Sequence, residues 1–403
     1  MSSSADSISP APALPPYGVT AAILSLAIGG FALGTGEFAS MGLLPNVARD
    51  IDVSIPVAGH MISAYALGVV IGAPVIATIF ARAPRRAMLI WLMVVYAIGN
   101  AASAAANDYW SIVAARFLAG LPHGAYFGIA MLSAASLVPV NKRAQAVSRV
   151  LLGLSVSNVV GVPFATWIGQ LAGWRAAFGI VGMLGLLTAL LCRFCLRPMP
   201  AAMGASPMTE LGALGRLQVW LTLGIAAIGF GGMFAVYSYI TPTLVNVTGT
   251  TEAVVPIMLA VVGAGMVAGS LFGGWLTDRG VMRAVGILLV IDMVVLGMFT
   301  FTAHNLTAVT INLFMIGFAG LSIGPALQTR LMDVAADAQT LAAALNHSAF
   351  NMANALGAWL GGVSIAAGYG WTSTGPIGAF LAACGLCVYG LALWVRRRAA
   401  SIS

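Results

Sequence analysis

Three ionisable side chains stand deep inside long apolar stretches of this sequence: Glu37, Arg116 and Asp292. A charge placed in hydrocarbon is costly, and where one persists it marks an ion or proton pathway or a buried pair. Glu37 lies seven residues before Leu44, and Arg116 six residues after Trp110, at the polar ends of their stretches. At about 1.5 Å of rise per helical residue, both sit roughly 10 Å below the same boundary. The spacing therefore places the two at one depth, where they can meet as a pair. A carboxylate beside a guanidinium in a low-dielectric site can take up and release a proton, whereas a fixed pair would only brace two helices. Asp292, about nine residues into its own stretch, falls near the centre of a helical span. It is a further candidate, for either transport or packing.

Other polar side chains recur at comparable depth. His123 and Asn158 fall near the middle of their stretches, and Tyr65, Tyr237 and Tyr239 lie further out. Asn354-x-x-Gly357 repeats the pattern Asn158-x-x-Gly161. Aromatic, amide and imidazole groups around a mostly apolar cavity suit an uncharged or amphipathic organic molecule. Each tyrosine taken singly is explained as well by a hydrogen bond between helices. Gly320-Leu321-Ser322-Ile323-Gly324, with His347 in the next stretch, matches the nucleophile signature of serine hydrolases. That chemistry needs a strand-to-helix turn to present the serine. Here the motif is embedded in an apolar helix, where close packing explains it, and an intramembrane hydrolase is the remote alternative. Cys192-x-x-Cys195 and Cys384-x-x-Cys387 have zinc-like spacing but no acid or histidine beside them. They read as buried thiols acting as small hydrophobes. No metal site or cofactor is expected, and no phosphate-cradling Walker sequence points to nucleotide chemistry.

The elements that must hold these residues are apolar helices. Of 403 residues, 60% are hydrophobic and only 7% charged, against about 25% charged in ordinary soluble proteins. Apolar spans fall at about 19–44, 57–80, 87–105, 110–137, 147–171 and 177–196, then at about 217–244, 254–277, 284–303, 306–329, 340–367 and 374–395. Such lengths suit helices crossing roughly 30 Å of hydrocarbon. Every second gap is basic, holding Arg82, Arg85 and Arg86, then Lys142, Arg143 and Arg149, then Arg193, Arg197 and Arg216. Arg279 and Arg283, Arg330, and Arg396 to Arg398 continue the series. The alternate gaps hold only Arg49 and Arg175. This asymmetry places the basic loops and both termini in the cytoplasm. The net charge of +7 is thus confined to loops, without the continuous basic surface of a nucleic-acid binder. No nucleic-acid partner is expected; the surroundings are a lipid bilayer.

The chain divides as a Ser/Pro-rich tail at 1–17, a six-helix half at 18–197, a polar cytoplasmic linker at 198–217, a second six-helix half at 218–396 and a tail at 397–403. The first tail lacks the basic and short apolar regions of a cleavable signal; it is expected to be disordered, and the first span retained. Ala81-Arg82 and Asp278-Arg279 lie 197 residues apart, as do Gly120 and Gly317, while the two Asn-x-x-Gly motifs lie 196 apart. One offset in equivalent spans argues for two duplicated halves, with the solute site between them. Glycines at four-residue spacing, Gly120, Gly124 and Gly128, and again Gly265, Gly269 and Gly273, are expected to bring helices into close contact. The fold class is therefore an all-α polytopic membrane protein with twelve transmembrane helices in two pseudo-symmetric halves.

Several stretches resemble the drug:proton antiporter branch of the major facilitator superfamily, in particular its arabinose-efflux-permease-like and chloramphenicol-exporter-like members. They are Gly34-Thr35-Gly36-Glu37-Phe38 with Gly42-Leu43-Leu44-Pro45, and Ser63-Ala64-Tyr65-Ala66-Leu67-Gly68 running on to Gly72-Ala73-Pro74. A third runs from Arg116 through Gly120, Pro122 and His123 to Gly128. Asn158-x-x-Gly161-x-Pro163 with Gly169 is similar to the antiporter motif, and Gly232 to Tyr239 completes the set. The resemblance covers essentially the whole chain. It implies the major facilitator fold, no enzymatic activity, residence in a bacterial-type cytoplasmic (inner) membrane, and a monomer. The implied function is export of a small organic solute or drug in exchange for protons. A proton-coupled importer of the same fold is the alternative.

One departure concerns the gate. The family's loop after the second helix reads Gly-x-x-x-Asp-Arg-x-Gly-Arg-Arg, whereas here Ala77-x-x-x-Ala81-Arg82-Ala83-Pro84-Arg85-Arg86 lacks the acid and both glycines. The second copy, Gly274-x-x-x-Asp278-Arg279-Gly280, keeps its acid and is the better candidate for the family's gating role. Arg82, Arg85 and Arg86 are expected to meet Asp333 and Asp337 of the opposite half when the cytoplasmic side closes.

Overall fold

The computed structural model describes residues 17–80, 82–199, 215–335 and 339–400. The tail to residue 16, Ala81, most of the expected linker, Asp337 and the last three residues lie outside them. Twelve membrane-length helices follow one another: α1 Gly18–Gly42, α2 Ile55–Ile76, α3 Arg85–Ala105, α4 Tyr109–Ser136, α5 Gln145–Ala172 and α6 Trp174–Cys195. The rest are α7 Leu217–Ser238, α8 Glu252–Thr277, α9 Val281–Thr302 and α10 Leu306–Ala335, α11 Gln339–Ser364 and α12 Trp371–Arg398. No strand occurs among the described residues. The expected fold class holds.

Packing repeats between the two sets of six. A side chain at Gly68, Gly72 or Gly120 would collide with the backbone carbonyls of Phe117, Leu121 or Tyr65, which joins α2 to α4. Gly265, Gly269 and Gly317 stand in the same relation to Phe314, Phe318 and Val262, joining α8 to α10. Every member of the second set lies 197 residues beyond its counterpart in the first. The same joint is therefore built twice, from small residues that let backbones touch without a side chain between them. Gly128 is a correction, since a Cβ there would meet nothing within 4 Å. The serine-hydrolase signature also resolves here: the Ser322 hydroxyl donates to the Phe318 carbonyl one turn back, inside α10, and Gly273 packs on the Ser322 backbone. Of the four cysteines only Cys192 is buried, and Cys387 is exposed, which corrects the expectation of buried thiols.

Three apolar cores fill the molecule. One is drawn from the first six helices and the residues just after them, and holds Leu26, Leu89, Ala134 and Cys192. A second belongs wholly to the last six, with Val219, Val285 and Leu331. The third mixes both: Phe38, Leu43, Leu44 and Met61 pack with Phe234, Tyr237, Ile240 and Leu259. This shared core lies at the end of the bundle carrying Arg49 and Glu252, where Thr241 donates to the Gly42 carbonyl at 3.0 Å and Arg49 meets Glu252 at 3.5 Å. At the opposite end, carrying Arg86, each set of helices keeps its own core. The bundle is closed by a shared core at the Arg49 end, and among the described residues no shared apolar core lies at the Arg86 end.

Candidate functional site

Breaks in the helices place the polar side chains. Pro122 has no N–H to donate, and α4 is interrupted at Leu121 and Pro122 before resuming at His123. In α5 a π-helical turn spans Ser157–Gly161, two residues before Pro163. In α7 another spans Ile225–Gly229, and α7 stops at Ser238, a short helix Ile240–Asn246 following after Tyr239. Such turns free backbone groups and are common at functional sites.

Glu37 sits at the centre of the resulting polar seam, with 6% of its surface exposed. Asn354 Nδ2, on α11 of the opposite half, donates to Glu37 Oε1 at 2.9 Å. On the other side, His123 Nε2 approaches Glu37 Oε2 at 3.8 Å. The second ring nitrogen of His123 shares a 2.8 Å hydrogen bond with the Tyr65 hydroxyl. One imidazole thus bridges the carboxylate of α1 to the phenol of α2, while one amide ties the same carboxylate across the molecule.

The expected Glu37–Arg116 ion pair does not form in this structure. Arg116 is fully buried, but its Nη2 donates to the Gly36 carbonyl at 2.9 Å and its Nη1 reaches Asn100 Oδ1 at 3.5 Å. Its guanidinium lies 4.4 Å from the Tyr65 ring centre and 5.0 Å from that of Phe178. A desolvated guanidinium over aromatic faces is held by the ring quadrupoles. Matching depth was right, since Arg116 binds the residue next to Glu37. Depth does not fix the rotation of a helix about its axis, and rotation points the side chain at the backbone and rings.

The expected cavity residues divide into two groups. Tyr65, His123 and Asn354 surround Glu37. Tyr237 and Tyr239 belong to the shared core at the closed end: Tyr237 tilts against Phe38 with ring centres 5.8 Å apart, and Tyr239 donates to the Ala358 carbonyl at 2.9 Å. The Tyr237 hydroxyl has no partner. Asn158 donates within its own helix, to the Leu154 carbonyl at 3.2 Å, leaving its oxygen unpartnered. Its backbone packs on Gly263 of α8, so α5 also touches the opposite half. Asp292 is fully buried in α9 with neither carboxylate oxygen partnered, apart from the seam.

Two residues of the seam were not expected there: Asn351, and His347, which the sequence suggested only as the partner of a serine-hydrolase signature. His347 stacks on Phe127 of α4 at 5.4 Å, and Phe127 in turn lies 5.3 Å from His123. Asn351 donates to the His347 carbonyl and keeps an unpartnered oxygen. A signal was present: His347, Asn351 and Asn354 recur at the four- and seven-residue spacing of one helix face.

The described gate candidates form no ion pair across the halves. Among the described residues no ion pair joins Arg82, Arg85 or Arg86 to Asp333, or Asp278 to any cation. Arg86 instead donates to the Arg193 carbonyl, and Arg279 donates to the Trp275 carbonyl at 2.8 Å and covers its ring. At the closed end, Arg175 and Trp174 both donate to Asp50, and these bonds hold its carboxyl below the usual carboxylate range.

The family model described as Major Facilitator Superfamily matches residues 26–335 and 222–402. The chain belongs to the major facilitator superfamily. It is 41% identical over 360 residues to the Inner membrane transport protein YdhP of Escherichia coli K12, covering 89% of this chain and 92% of that one. It is 32% identical over 342 residues to a Chloramphenicol resistance protein of Streptomyces lividans, covering 82% and 86%. Among solved structures, a bacterial homologue of the human lysosomal transporter Spinster, inward-facing and unoccupied, superimposes with a TM-score of 0.75 at 18% identity, covering 94% of this chain and 97% of that one. That likeness concerns the fold. The protein is a multi-pass membrane transporter of this superfamily.

Proposed function

We propose that this transporter exports a small uncharged or amphipathic organic solute in exchange for protons, with Glu37 as the proton-carrying group. The hydrogen bond from Asn354 to Glu37 carries the reading, because it makes the protonation state of one buried carboxylate a property of the contact between halves. A hydrogen bond to a charged acceptor is roughly twice as strong as a neutral one. Protonation of Glu37 therefore loosens the α1–α11 tie, and deprotonation restores it. His123, 3.8 Å from Glu37 and hydrogen-bonded to Tyr65, stands where it could take the proton from the carboxylate once the two close to hydrogen-bond distance. Arg116 keeps a fixed positive charge beside the site without neutralising it in a direct pair.

In this reading the Arg86 end faces the cytoplasm of a bacterial-type inner membrane, both termini lie there, and the protein works as a monomer. Arg82 and Arg85 meet Asp333 and Asp337 only when that end closes, with Asp278 and Arg279 as the second half of the gate, whereas Arg86 is turned to the Arg193 carbonyl and is left out of it. The aromatic and amide groups favour an uncharged or amphipathic solute, and the chloramphenicol-resistance relative supports a drug-like one. A susceptibility panel in an efflux-deficient host tests it. Expression should raise tolerance to at least one apolar drug or metabolite, and Glu37→Gln should abolish the gain at equal protein level. Accumulation rather than extrusion of the solute, driven by an inward proton gradient, would overturn export.

A further inference from the structure

A second site lies away from the polar seam, on the outer flank of the first six helices. Where α3 begins and α6 ends, a cleft of about 600 Å³ is lined by Pro84, Arg86, Ala87, Ile90, Arg193 and Met199, among others. That volume is within the roughly 300–1,000 Å³ of small-molecule sites. Its chemistry is two-sided. Arg86 is drawn onto the Arg193 backbone by the bond from its Nη2 to the carbonyl, which brings two guanidinium-bearing side chains to one mouth. Among the described residues neither has a carboxylate within 4.0 Å. Ala87 and Ile90 give the cleft apolar lining, and beside it Trp91, Leu190 and Phe194 turn 65%, 54% and 53% of their surface outward.

Paired cations at a helix end, unneutralised, above an outward apolar wall match one class of molecule. We propose that this cleft binds an anionic phospholipid, its phosphodiester between Arg86 and Arg193 and an acyl chain along Ile90, Trp91 and Leu190. Basic pockets between membrane helices recognise anionic head groups in this manner. Charge complementarity selects the lipid over a zwitterionic one, and the apolar wall selects it over a free phosphate.

The purified full-length transporter is exchanged into detergent with phosphatidylglycerol or with phosphatidylcholine of the same acyl chains, and retained lipid is counted by native mass spectrometry. Phosphatidylglycerol should be retained in preference, and soluble glycerol phosphate at equal concentration should not displace it. At about 1 kcal/mol per basic side chain near an anionic surface, Arg193→Gln should weaken retention ~5-fold and the double change with Arg86→Gln ~30-fold. Arg396→Gln with Arg397→Gln, basic residues at the same end but off the cleft, should leave it unchanged. Arg193 is exposed, so its single variant stays informative if the double variant fails to fold. Equal retention of both lipids, or undiminished phosphatidylglycerol in Arg193→Gln, would overturn the lipid site. Displacement by glycerol phosphate would overturn the lipid assignment in favour of a free phosphate. Stronger retention in Glu210→Gln than in the unaltered protein, with no loss in Arg193→Gln, would assign the effect to the chain's own linker instead.

Discussion

Removing the Asn354 amide should shift the balance between conformations, by an amount the structure allows to be worked out. Asn354 Nδ2 donates to Glu37 Oε1 at 2.9 Å across 317 residues of sequence, and both side chains are buried. A hydrogen bond to a charged partner contributes about 1.5–3 kcal/mol. If that bond exists only when the Arg49 end is closed, Asn354→Ala should move the closed-to-open ratio at that end roughly 10- to 150-fold, at 1.4 kcal/mol per tenfold. Spin labels at Asp52 and Thr251, both exposed at the closed end and on opposite halves, report the distance. The unaltered protein should give a dominant short distance at pH 8 and a growing long component at pH 5, as protonation weakens the tie. Asn354→Ala should give the long component at both pH values and lose most of the pH dependence. Asn351→Ala, one turn away and bonded within its own helix, serves as the control and should behave as the parent. An unchanged distribution in Asn354→Ala, with its pH response intact, would refute the role of this bond.

Three further outcomes follow from other parts of the molecule. Asp50 is held below the usual carboxylate range by Arg175 and then Trp174, so its stabilising contact is complete above its unfolded pKa of about 3.9 and is lost only as pH falls below that; Asp50→Asn should therefore leave the pH profile of transport between pH 5 and 8 unmoved, and a displaced profile would count against the assignment to Glu37. Gly269→Val drives a side chain into the Phe318 backbone and should cost about 1–3 kcal/mol or more, seen as a lower unfolding temperature of the purified protein, whereas Gly128→Ala meets open space and should not lower it. Cysteines replacing Arg82 and Asp333 in a background without the native thiols should crosslink only when the Arg86 end is closed; equal crosslinking in both states, or none in either, would leave the arginines as topology determinants alone.

The fold was legible because its signals are local. Apolar length fixes each helix, and the 197-residue offset of Gly120 and Gly317 foreshadowed the α2–α4 and α8–α10 joints that the packing repeats. Glu37 and Arg116 stood out because a charge in an apolar span has few explanations. Their partners were not legible. Helical rise gives depth but not azimuth, so two residues at one level were matched although Arg116 turns to the Gly36 carbonyl and two rings. The tie to Asn354 depends on how α1 and α11 of different halves meet, which no local pattern encodes. His347 and Asn351 were readable as one face of α11, but a polar stripe in a span carries no sign of which helix it faces. Asp292 remains as legible in the sequence as in the structure: a buried acid whose oxygens touch no donor.

The proposed proton-carrying role of Glu37 is tested most directly by exchange in proteoliposomes loaded with a drug that the susceptibility panel identifies, comparing the parent protein with Glu37→Gln. The parent should transport when either a pH gradient or an opposing gradient of unlabelled drug is imposed, and should release protons as drug moves. Glu37→Gln should keep drug-for-drug exchange and lose both the response to the pH gradient and the proton movement. Gradient-driven transport at the parent's rate in Glu37→Gln, with proton movement intact, would contradict it.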